Sequence, residues 1–292
     1  MSVKPVAIHY EEKMDTDIAK LTIRSILDYI DKQLDLGVIV NIDMLTLYSG
    51  YSRRYIQLVF KKETGIRLGE YIRKRRLTRA AALIKLTKRS LSEISHSLCF
   101  DSPQTFNREF KKVIGCTPLQ YSKNLAWHIP SLTPKMNITS PEIINYGDVF
   151  LDENIMPALL FESWGEIPFT HPSETFQHVL KLIFNTVHKK KESVYVVSLI
   201  QRENHHKHAY KILSYIKHER SDHFVRTKEG VYMKVSFCTN IDTHILNVYY
   251  INLDFLKKTN FDTVNGNYIE EFWLNQDQTI CDLYIPVAQN CT

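Results

Sequence analysis

Two short segments of the sequence carry Arg, Gln, Asn and Lys side chains at helical spacing. The first segment follows Ser52, and the second follows Ser102, which lies 50 residues further along the chain. Arg can bind guanine through two hydrogen bonds, Gln and Asn can bind adenine in the same way, and Lys can hold phosphates. These residue types favour hydrogen bonding to nucleic acid.

Both segments belong to a longer internal repeat with the same offset. The pairs that match are Ser52 with Ser102, Phe60-Lys61-Lys62 with Phe110-Lys111-Lys112, Gly65 with Gly115, and Tyr71 with Tyr121. Serine is a good helix N-cap and glycine a good helix stop. The repeat therefore predicts one supersecondary unit that occurs twice.

Each copy is predicted to form a helix, a tight turn and a second helix. In the first copy the break falls at Ser49-Gly50, and in the second copy Pro103 follows the Ser102 cap, where a missing N–H costs little. Helix-turn-helix units insert their second helix into the major groove of DNA. The predicted DNA-contacting residues are Arg53, Arg54, Gln57, Leu58, Lys61 and Lys62 in the first copy, and Gln104, Thr105, Asn107, Arg108, Lys111 and Lys112 in the second.

The alternative is a pair of ordinary amphipathic helices with solvated polar faces, which the fixed offset disfavours. Between the copies, residues 68–86 are predicted to form a linker helix with Ile72, Ala80, Leu83 and Ile84 as its apolar stripe. Its length of about 28 Å, at about 1.5 Å per residue, approaches one DNA turn of about 34 Å. Cations around this stripe are predicted to contact phosphates or solvent: Arg73, Lys74, Arg75, Arg76 and Arg79.

These residues resemble the AraC/XylS family of bacterial transcription activators, and within it the branch of the multiple-antibiotic-resistance, superoxide-response and right-origin-binding proteins. The resemblance covers residues 18–123 and is carried by Ser49-Gly50-Tyr51-Ser52, by residues 71–77 and 100–112, and by Thr117-Pro118 with Tyr121. The segments 52–55 and 79–83 also resemble activators of chaperone–usher capsule and fimbrial operons.

The resemblance implies base contacts by Arg54, Gln57 and Leu58, and by Pro103, Gln104, Asn107 and Arg108. Arg54 stands where the branch usually has Trp, Leu58 where it has Arg, and Pro103 where it has Gln. Leu cannot hydrogen-bond a base but can pack on a thymine methyl group. We therefore expect a different recognition sequence from that of the branch.

Charge divides the chain of 292 residues, whose formal net charge is +5, into unlike halves. Residues 1–130 hold 22 Lys and Arg against 13 Asp and Glu, whereas residues 131–292 hold 15 against 19. Three prolines between residues 126 and 141 predict a linker. The expected organisation is an all-α double helix-turn-helix DNA-binding domain at 15–125, a linker at 126–141, and an α+β effector-binding or regulatory domain at 142–292.

The second half alternates strand and helix patterns. Strands are predicted at 149–161, 193–200, 231–237, 268–274 and 280–287, with helices after Ser173 and over 241–256, so that a strand-strand-helix-strand unit occurs twice. This half resembles gyrase-inhibitor-like effector domains, which implies a pocket for organic, often cationic ligands, with Trp164, Phe237 and Trp273 as candidate lining residues. The family's pocket Glu falls on Cys238, which disfavours cation sensing unless Glu270 or Glu271 substitutes.

Other classes of protein are disfavoured. The 9 Gly and the lack of nucleotide-binding, hydrolase and metalloprotease motifs argue against common enzymes, and we expect no catalytic residues and no cofactor. Five widely spaced Cys disfavour disulfides and favour a reducing cytoplasm. No apolar run is long enough to span a membrane. His205, His206 and His208 are interpreted as a solvated loop, so no metal site is expected.

The leading hypothesis is a sequence-specific transcription activator that binds an asymmetric promoter site in double-stranded DNA as a monomer and contacts RNA polymerase, with a small-molecule effector as a further partner. Two alternatives stay open. The basic half could instead bind nucleoid or origin DNA without specificity. The second half could be a small-molecule hydrolase or a sequestering module.

Overall fold

The computed structural model describes residues 6–124, 131–136, 141–166, 173–201, 209–256, 259, 261–264 and 266–289. The first half is helical and the second half is an antiparallel half-barrel sheet with helices on one face. Among the described residues, no helix combines the length and the apolar character that crossing a bilayer requires.

The helices of the first half follow the predicted repeat. They are α1 (Val6–Asp35), α2 (Ile42–Ser49), α3 (Arg53–Thr64), α4 (Leu68–Leu86), α5 (Leu91–Ser97), α6 (Pro103–Ile114) and α7 (Pro118–Lys123). The Ser52 hydroxyl accepts from the Tyr55 N–H at 3.3 Å, and that of Ser102 accepts from the Thr105 N–H at 3.1 Å. Both caps therefore satisfy an orphan backbone donor at a helix start, as predicted.

Glycines end α3 and α6 in the left-handed conformation. Gly65 has φ 77° and Gly115 has φ 96°, values that only glycine adopts without strain. The apolar residues of each helix point inward, since Ile56, Phe60, Phe106 and Phe110 are all buried.

Helix α4 occupies the predicted range and is buried on nearly all sides, so it lies within the helical half as a central strut. Its first turns join a core with α1, α2 and α3 through Leu68, Tyr71 and Ile72. Its later turns, from Leu77 onward, join a second core with α5, α6 and α7. The strut therefore fixes the positions of the two helix pairs relative to each other.

The second half contains β1 (Ile143–Leu151), β2 (Asn154–Glu166), α8 (Glu174–Lys190), β3 (Val194–Gln201), β4 (Ala209–Lys217), β5 (Phe224–Thr227), β6 (Gly230–Thr239), α9 (His244–Tyr250), β7 (Phe261–Thr263), β8 (Tyr268–Asn275) and β9 (Gln278–Gln289). The strand order is β1-β6-β9-β8-β3-β4-β2-β5, with β7 paired to β9. Every pairing is antiparallel.

The duplicated pattern is present with an exchange. β1 and β2 precede α8, and β5 and β6 precede α9, but β1 pairs with β6 while β5 pairs with β2. The first strand of each unit therefore pairs with the second strand of the other unit. The order of elements along the sequence does not indicate such a pairing.

Two expectations for this half need correction. The strand predicted at 149–161 is two strands separated by Asp152 and Glu153, and β4, β5 and β7 were not predicted. The helix predicted over 241–256 begins at His244 and continues as a π-helical turn, Ile251–Phe255. Most of the predicted linker, at 126–130 and 137–140, lies outside the described residues.

The two halves share a continuous set of buried apolar residues. One cluster runs from Leu83 and Phe110 of the helical half through Leu132 to Val187, Phe237 and Leu283 of the second half. A smaller cluster, which includes Val197, Tyr232 and Ile269, lies on the sheet face away from α8.

Candidate nucleic-acid interface

Helices α3 and α6 expose polar side chains at the same distances from their caps. Arg54, Gln57, Leu58, Lys61 and Lys62 lie 2, 5, 6, 9 and 10 residues after Ser52, and all are exposed. Gln104, Asn107, Arg108, Lys111 and Lys112 hold the same offsets after Ser102 and are exposed as well. Offsets of this kind place side chains on one helical face, so each helix presents one contiguous polar surface.

The two faces differ in chemistry at one position. Leu58 is 60% exposed and occupies the offset at which α6 carries Arg108. An apolar side chain held in water at the end of a polar face is suited to an apolar contact such as a thymine methyl group. The α3 face therefore offers a different hydrogen-bonding pattern from the α6 face.

Two of the predicted contacts have other surroundings. Arg53 forms an ion pair with Asp43 of α2, so its guanidinium already has a partner between the two helices of the first pair. Thr105 is half-buried at the start of α6, and its hydroxyl lies 3.1 Å from that of Ser102. Both residues are better placed to orient their helices than the exposed residues around them.

The cations of α4 require a correction. Arg75 and Arg79 are 7% and 8% exposed, so they cannot reach phosphate. Arg76 is half-buried with its guanidinium 4.1 Å from the centre of the Phe100 ring, and burial lowers its pKa. Their burial shows that these arginines support the helical half instead of facing solvent or DNA.

The other two cations of this group border a cleft. Arg73 and Lys74 of α4, together with Lys112 of α6, line a cavity of about 410 Å³. The Glu70 carboxylate contacts Lys74 at 2.7 Å, and this cation lowers the pKa of Glu70. The cleft is positively charged and lies beside the end of α6.

The structure separates the aromatic residues that were predicted to share a pocket. Phe237 is fully buried beside Cys281 and Phe272, on the sheet face covered by α8 and α9. Trp273 follows Phe272 directly and lies on the other face, where the strand register also places Trp164, which is 38% exposed. These three residues therefore do not line one pocket.

A cluster that the sequence did not suggest lies beneath α9. The metal-ligating atoms of His244, Glu270 and Cys281 all fall within 4.8 Å of one another. Burial and the charges of Glu270, Asp282 and Glu271 raise the pKa of Cys281 well above its ordinary value. Sequence spacing gave no signal, because sheet pairing between β8 and β9 brings Glu270 and Cys281 together.

Comparison with known proteins gives a family. A family model described as a helix-turn-helix domain matches residues 45–124. The chain is 32% identical over 275 residues to the F1 operon positive regulatory protein of Yersinia pestis, covering 92% of this chain and 89% of that protein. It is 36% identical over 123 residues to the right origin-binding protein of Escherichia coli K12, covering 41% of this chain and 42% of that protein.

Among solved structures, the C-terminal domain of AraT, a response regulator from Geobacillus stearothermophilus, is 26% identical. The match covers 35% of this chain and 84% of that domain with a TM-score of 0.33. The Yersinia pestis relative, the helix-turn-helix family model over residues 45–124 and the two exposed polar helices agree: the chain belongs to the AraC/XylS family of DNA-binding transcription regulators.

Proposed function

We propose that the protein activates transcription by binding an asymmetric promoter site as a monomer and contacting RNA polymerase. The observation that carries this proposal is the matched exposure of α3 and α6 at identical offsets from two serine caps. A symmetric dimer binds two equal half-sites with one recognition helix from each subunit. Here one chain carries both helices, and their exposed faces differ, so the two half-sites should differ as well.

In this proposal α2 with α3, and α5 with α6, are two helix-turn-helix units. Arg54, Gln57 and Leu58 contact bases in one half-site, and Gln104, Asn107 and Arg108 in the other, while Lys61, Lys62, Lys111 and Lys112 hold phosphates. The strut α4 keeps the two helices about one DNA turn apart. We place the DNA-binding domain at 15–125, the linker at 126–141 and the regulatory domain at 142–292.

Footprinting of the full chain at moderate salt tests the specificity. Protection of a single window of about two helical turns is expected, and uniform coverage of the DNA would favour the nonspecific nucleoid or origin binder instead. Arg108→Ala should weaken binding to the site by about 1–3 kcal/mol and relax its base preference. Arg220→Ala, at an exposed cation between β4 and β5, is the control and should leave both unchanged.

For the second half we propose a gyrase-inhibitor-like regulatory domain that binds an organic cation on the sheet face opposite α8. Glu271 lies on this face among tyrosines: burial, Tyr284 and Glu271 raise the pKa of Tyr195 to about 12. Aromatic rings around a carboxylate attract a lipophilic cation. This arrangement favours a regulatory role over the hydrolase alternative, because Glu271 and the tyrosines around it supply groups suited to binding a cation.

Thermal denaturation with tetraphenylphosphonium tests this second part. A rise in Tm that Glu271→Gln removes and Glu229→Gln retains would support it, since Glu229 is an exposed carboxylate in the turn before β6. An unchanged Tm of the unsubstituted chain would argue against a cationic ligand, and hydrolysis of a small ester by the chain would favour the enzyme alternative.

A further inference from the structure

Three side chains of different ligand type meet under helix α9. His244 is the first residue of α9, Glu270 lies on β8, and Cys281 lies on β9. His244 Nε2 and Glu270 Oε1 are 2.9 Å apart, and the Cys281 Sγ lies within 4.8 Å of both. Nitrogen, oxygen and sulfur atoms that converge from three elements are the donor set of a transition-metal site.

The cluster is enclosed by aromatic rings. His244 and Cys281 are buried, with 2% and 0% of their surface exposed. The imidazole stacks on Phe237 at 6.2 Å between ring centres and contacts Phe272 and Phe184 at 5.0 and 6.3 Å. This apolar wall excludes bulk water, which strengthens every charged interaction inside it.

The second nitrogen of His244 has a partner that can serve either tautomer. The Thr239 hydroxyl lies 3.4 Å from Nδ1, and the Asn247 amide donates to the same hydroxyl at 3.2 Å. A hydroxyl rotates, so it can donate to a bare Nδ1 or accept from a protonated one. Accepting from Nδ1–H leaves the Nε2 lone pair free to bind a metal ion, which is how outer residues orient metal-ligating histidines.

The charges around the cluster favour a cation. Glu270 lies in it, whereas Glu271 and Asp282, which directly follow Glu270 and Cys281 in the chain, lie on the opposite face of the sheet. On that opposite face Lys234 pairs with Asp282 at 2.9 Å and approaches the Tyr284 ring. Among the described residues, the ion pair of Glu270 is with His244 Nε2 at 2.9 Å, so Glu270 supplies the carboxylate of the cluster.

We propose that His244 Nε2, Glu270 and Cys281 bind one zinc-class divalent metal ion, with a fourth position open to water or to a small ligand. Ligands around tetrahedral Zn²⁺ lie about 3.3–3.8 Å apart, given bonds of about 2.0–2.3 Å. Binding therefore requires the His244 and Glu270 atoms to part by about half an ångström and the thiol to approach by at most about 1.5 Å. The borderline-soft thiolate and imidazole select zinc over magnesium or calcium.

The proton balance of this step is simple. The metal ion displaces the proton of the Cys281 thiol, which leaves as one proton per ion bound. In the bound form the imidazole ligates through the Nε2 lone pair and carries its proton on Nδ1, from which the Thr239 hydroxyl accepts. Glu270 is the negatively charged ligand, so thiolate and carboxylate together neutralise the charge of the ion.

Metal titration of the full chain, first freed of metal by a chelator and without DNA, tests this site. Zn²⁺ should bind at one equivalent, and Co²⁺ should bind at the same site with a thiolate-to-cobalt charge-transfer absorption. Cys281→Ser should abolish that absorption, and Glu270→Gln should weaken affinity by more than about 100-fold, which exceeds the loss expected for an outer-shell partner. Because no DNA is present, the outcome is separable from the proposed function.

Two controls sharpen the test. Cys238→Ser removes a thiol from the neighbouring strand β6 whose side chain contacts Gln278, and it should leave the cobalt spectrum unchanged. A variant with His205, His206 and His208 replaced by Gln removes the other histidine cluster and should also retain one equivalent. The proposal fails if Co²⁺ binds the unsubstituted chain without charge-transfer absorption, or if the triple His variant loses the metal.

Discussion

Arg75 of α4 donates from Nη1 to the Tyr249 hydroxyl of α9 at 3.3 Å and so links the helical half to the second half directly. The same guanidinium contacts Asp31 of α1 through Nε and Nη2 at 3.0 and 2.8 Å, and Nη1 also donates to the Thr133 carbonyl at 2.8 Å. Burial opposes its charge, but Tyr249, Asp31 and Tyr71 raise the pKa of Arg75 above its ordinary value. One buried cation thus ties four segments together.

Arg75→Ala is expected to lower the free energy of unfolding by about 3–5 kcal/mol, because it leaves the Asp31 carboxylate buried without its cation. Tyr249→Phe removes the hydroxyl to which Arg75 donates and should cost about 0.5–1.5 kcal/mol. Urea unfolding of the three proteins measures both changes. Equal losses in the two variants would show that the ion pair with Asp31 contributes nothing beyond the link to Tyr249.

The double variant Asp31→Leu with Arg75→Met should recover much of the stability lost in Arg75→Ala, since neither charge is then buried alone. The same urea titration applies. If the double variant were less stable than Arg75→Ala, the stranded Asp31 carboxylate would not be the main cost of losing Arg75.

The exposed lysines of α3 and α6 should determine the salt dependence of DNA binding. Each Lys that contacts a phosphate contributes about 0.9 to the slope of log affinity against log salt concentration. Lys111→Gln and Lys62→Gln should each reduce that slope by about this amount without altering base preference. Fluorescence anisotropy over a salt series measures it, with Lys189→Gln at the end of α8 as the control that should not change the slope.

The residues that cap the two ends of α6, Ser102 and Gly115, should each contribute to stability. Ser102→Ala removes the acceptor for the Thr105 N–H and should cost about 1 kcal/mol, whereas Ser102→Asp keeps an acceptor and should cost less. Gly115→Ala meets no atom within 4 Å but keeps φ at 96°, so its cost of about 1 kcal/mol comes from the backbone alone. Thermal unfolding ranks the three, and a neutral Ser102→Ala would contradict the capping role.

Stability should fall at alkaline pH. Burial raises the pKa of Cys281 well above 9.0 and that of Tyr268 from 10.0 to about 12, so the folded chain binds these protons more tightly than the unfolded chain. Their contribution is complete below the unfolded pKa values and is lost as pH rises from about 9 through the higher folded values. Tyr268→Phe should flatten the loss above pH 10 in urea titrations across this range, and a steeper loss would exclude that origin.

Much of the helical half follows from local chemistry. The range of α4, both serine caps and the glycine stops were predicted from residues within a few positions of each other, and the structure has them. Arg75 was misassigned because its partners Asp31 and Tyr249 lie 44 and 174 residues away, where no periodicity connects them. In the sequence, an arginine that is buried against a distant partner cannot be told from an arginine that binds phosphate. Only the folded structure shows which residues lie beside it.

The sheet was less predictable for a related reason. Strand patterns indicated most of the strands, but the exchange of β1 and β5 between units depends on pairings between distant residues. The separation of Trp273 from Phe237 follows from register, since a shift of one residue moves a side chain to the other face. The strand register also brings together the cluster of His244, Glu270 and Cys281. Because the register could not be predicted, the cluster could not be predicted either.

Helix α9 begins at His244, a residue of the proposed metal site, and Tyr249 lies one residue before its end. Because Tyr249 accepts a hydrogen bond from Arg75, this short helix, the α9 rod, connects the proposed metal site to Arg75. If metal occupancy shifts this rod, and the shift alters how tightly the helical half binds its promoter, the two equilibria are linked. Reciprocity then requires that promoter DNA change the affinity for the metal by the same factor by which the metal changes the affinity for DNA. A regulator built this way would hold its ion differently on and off the chromosome.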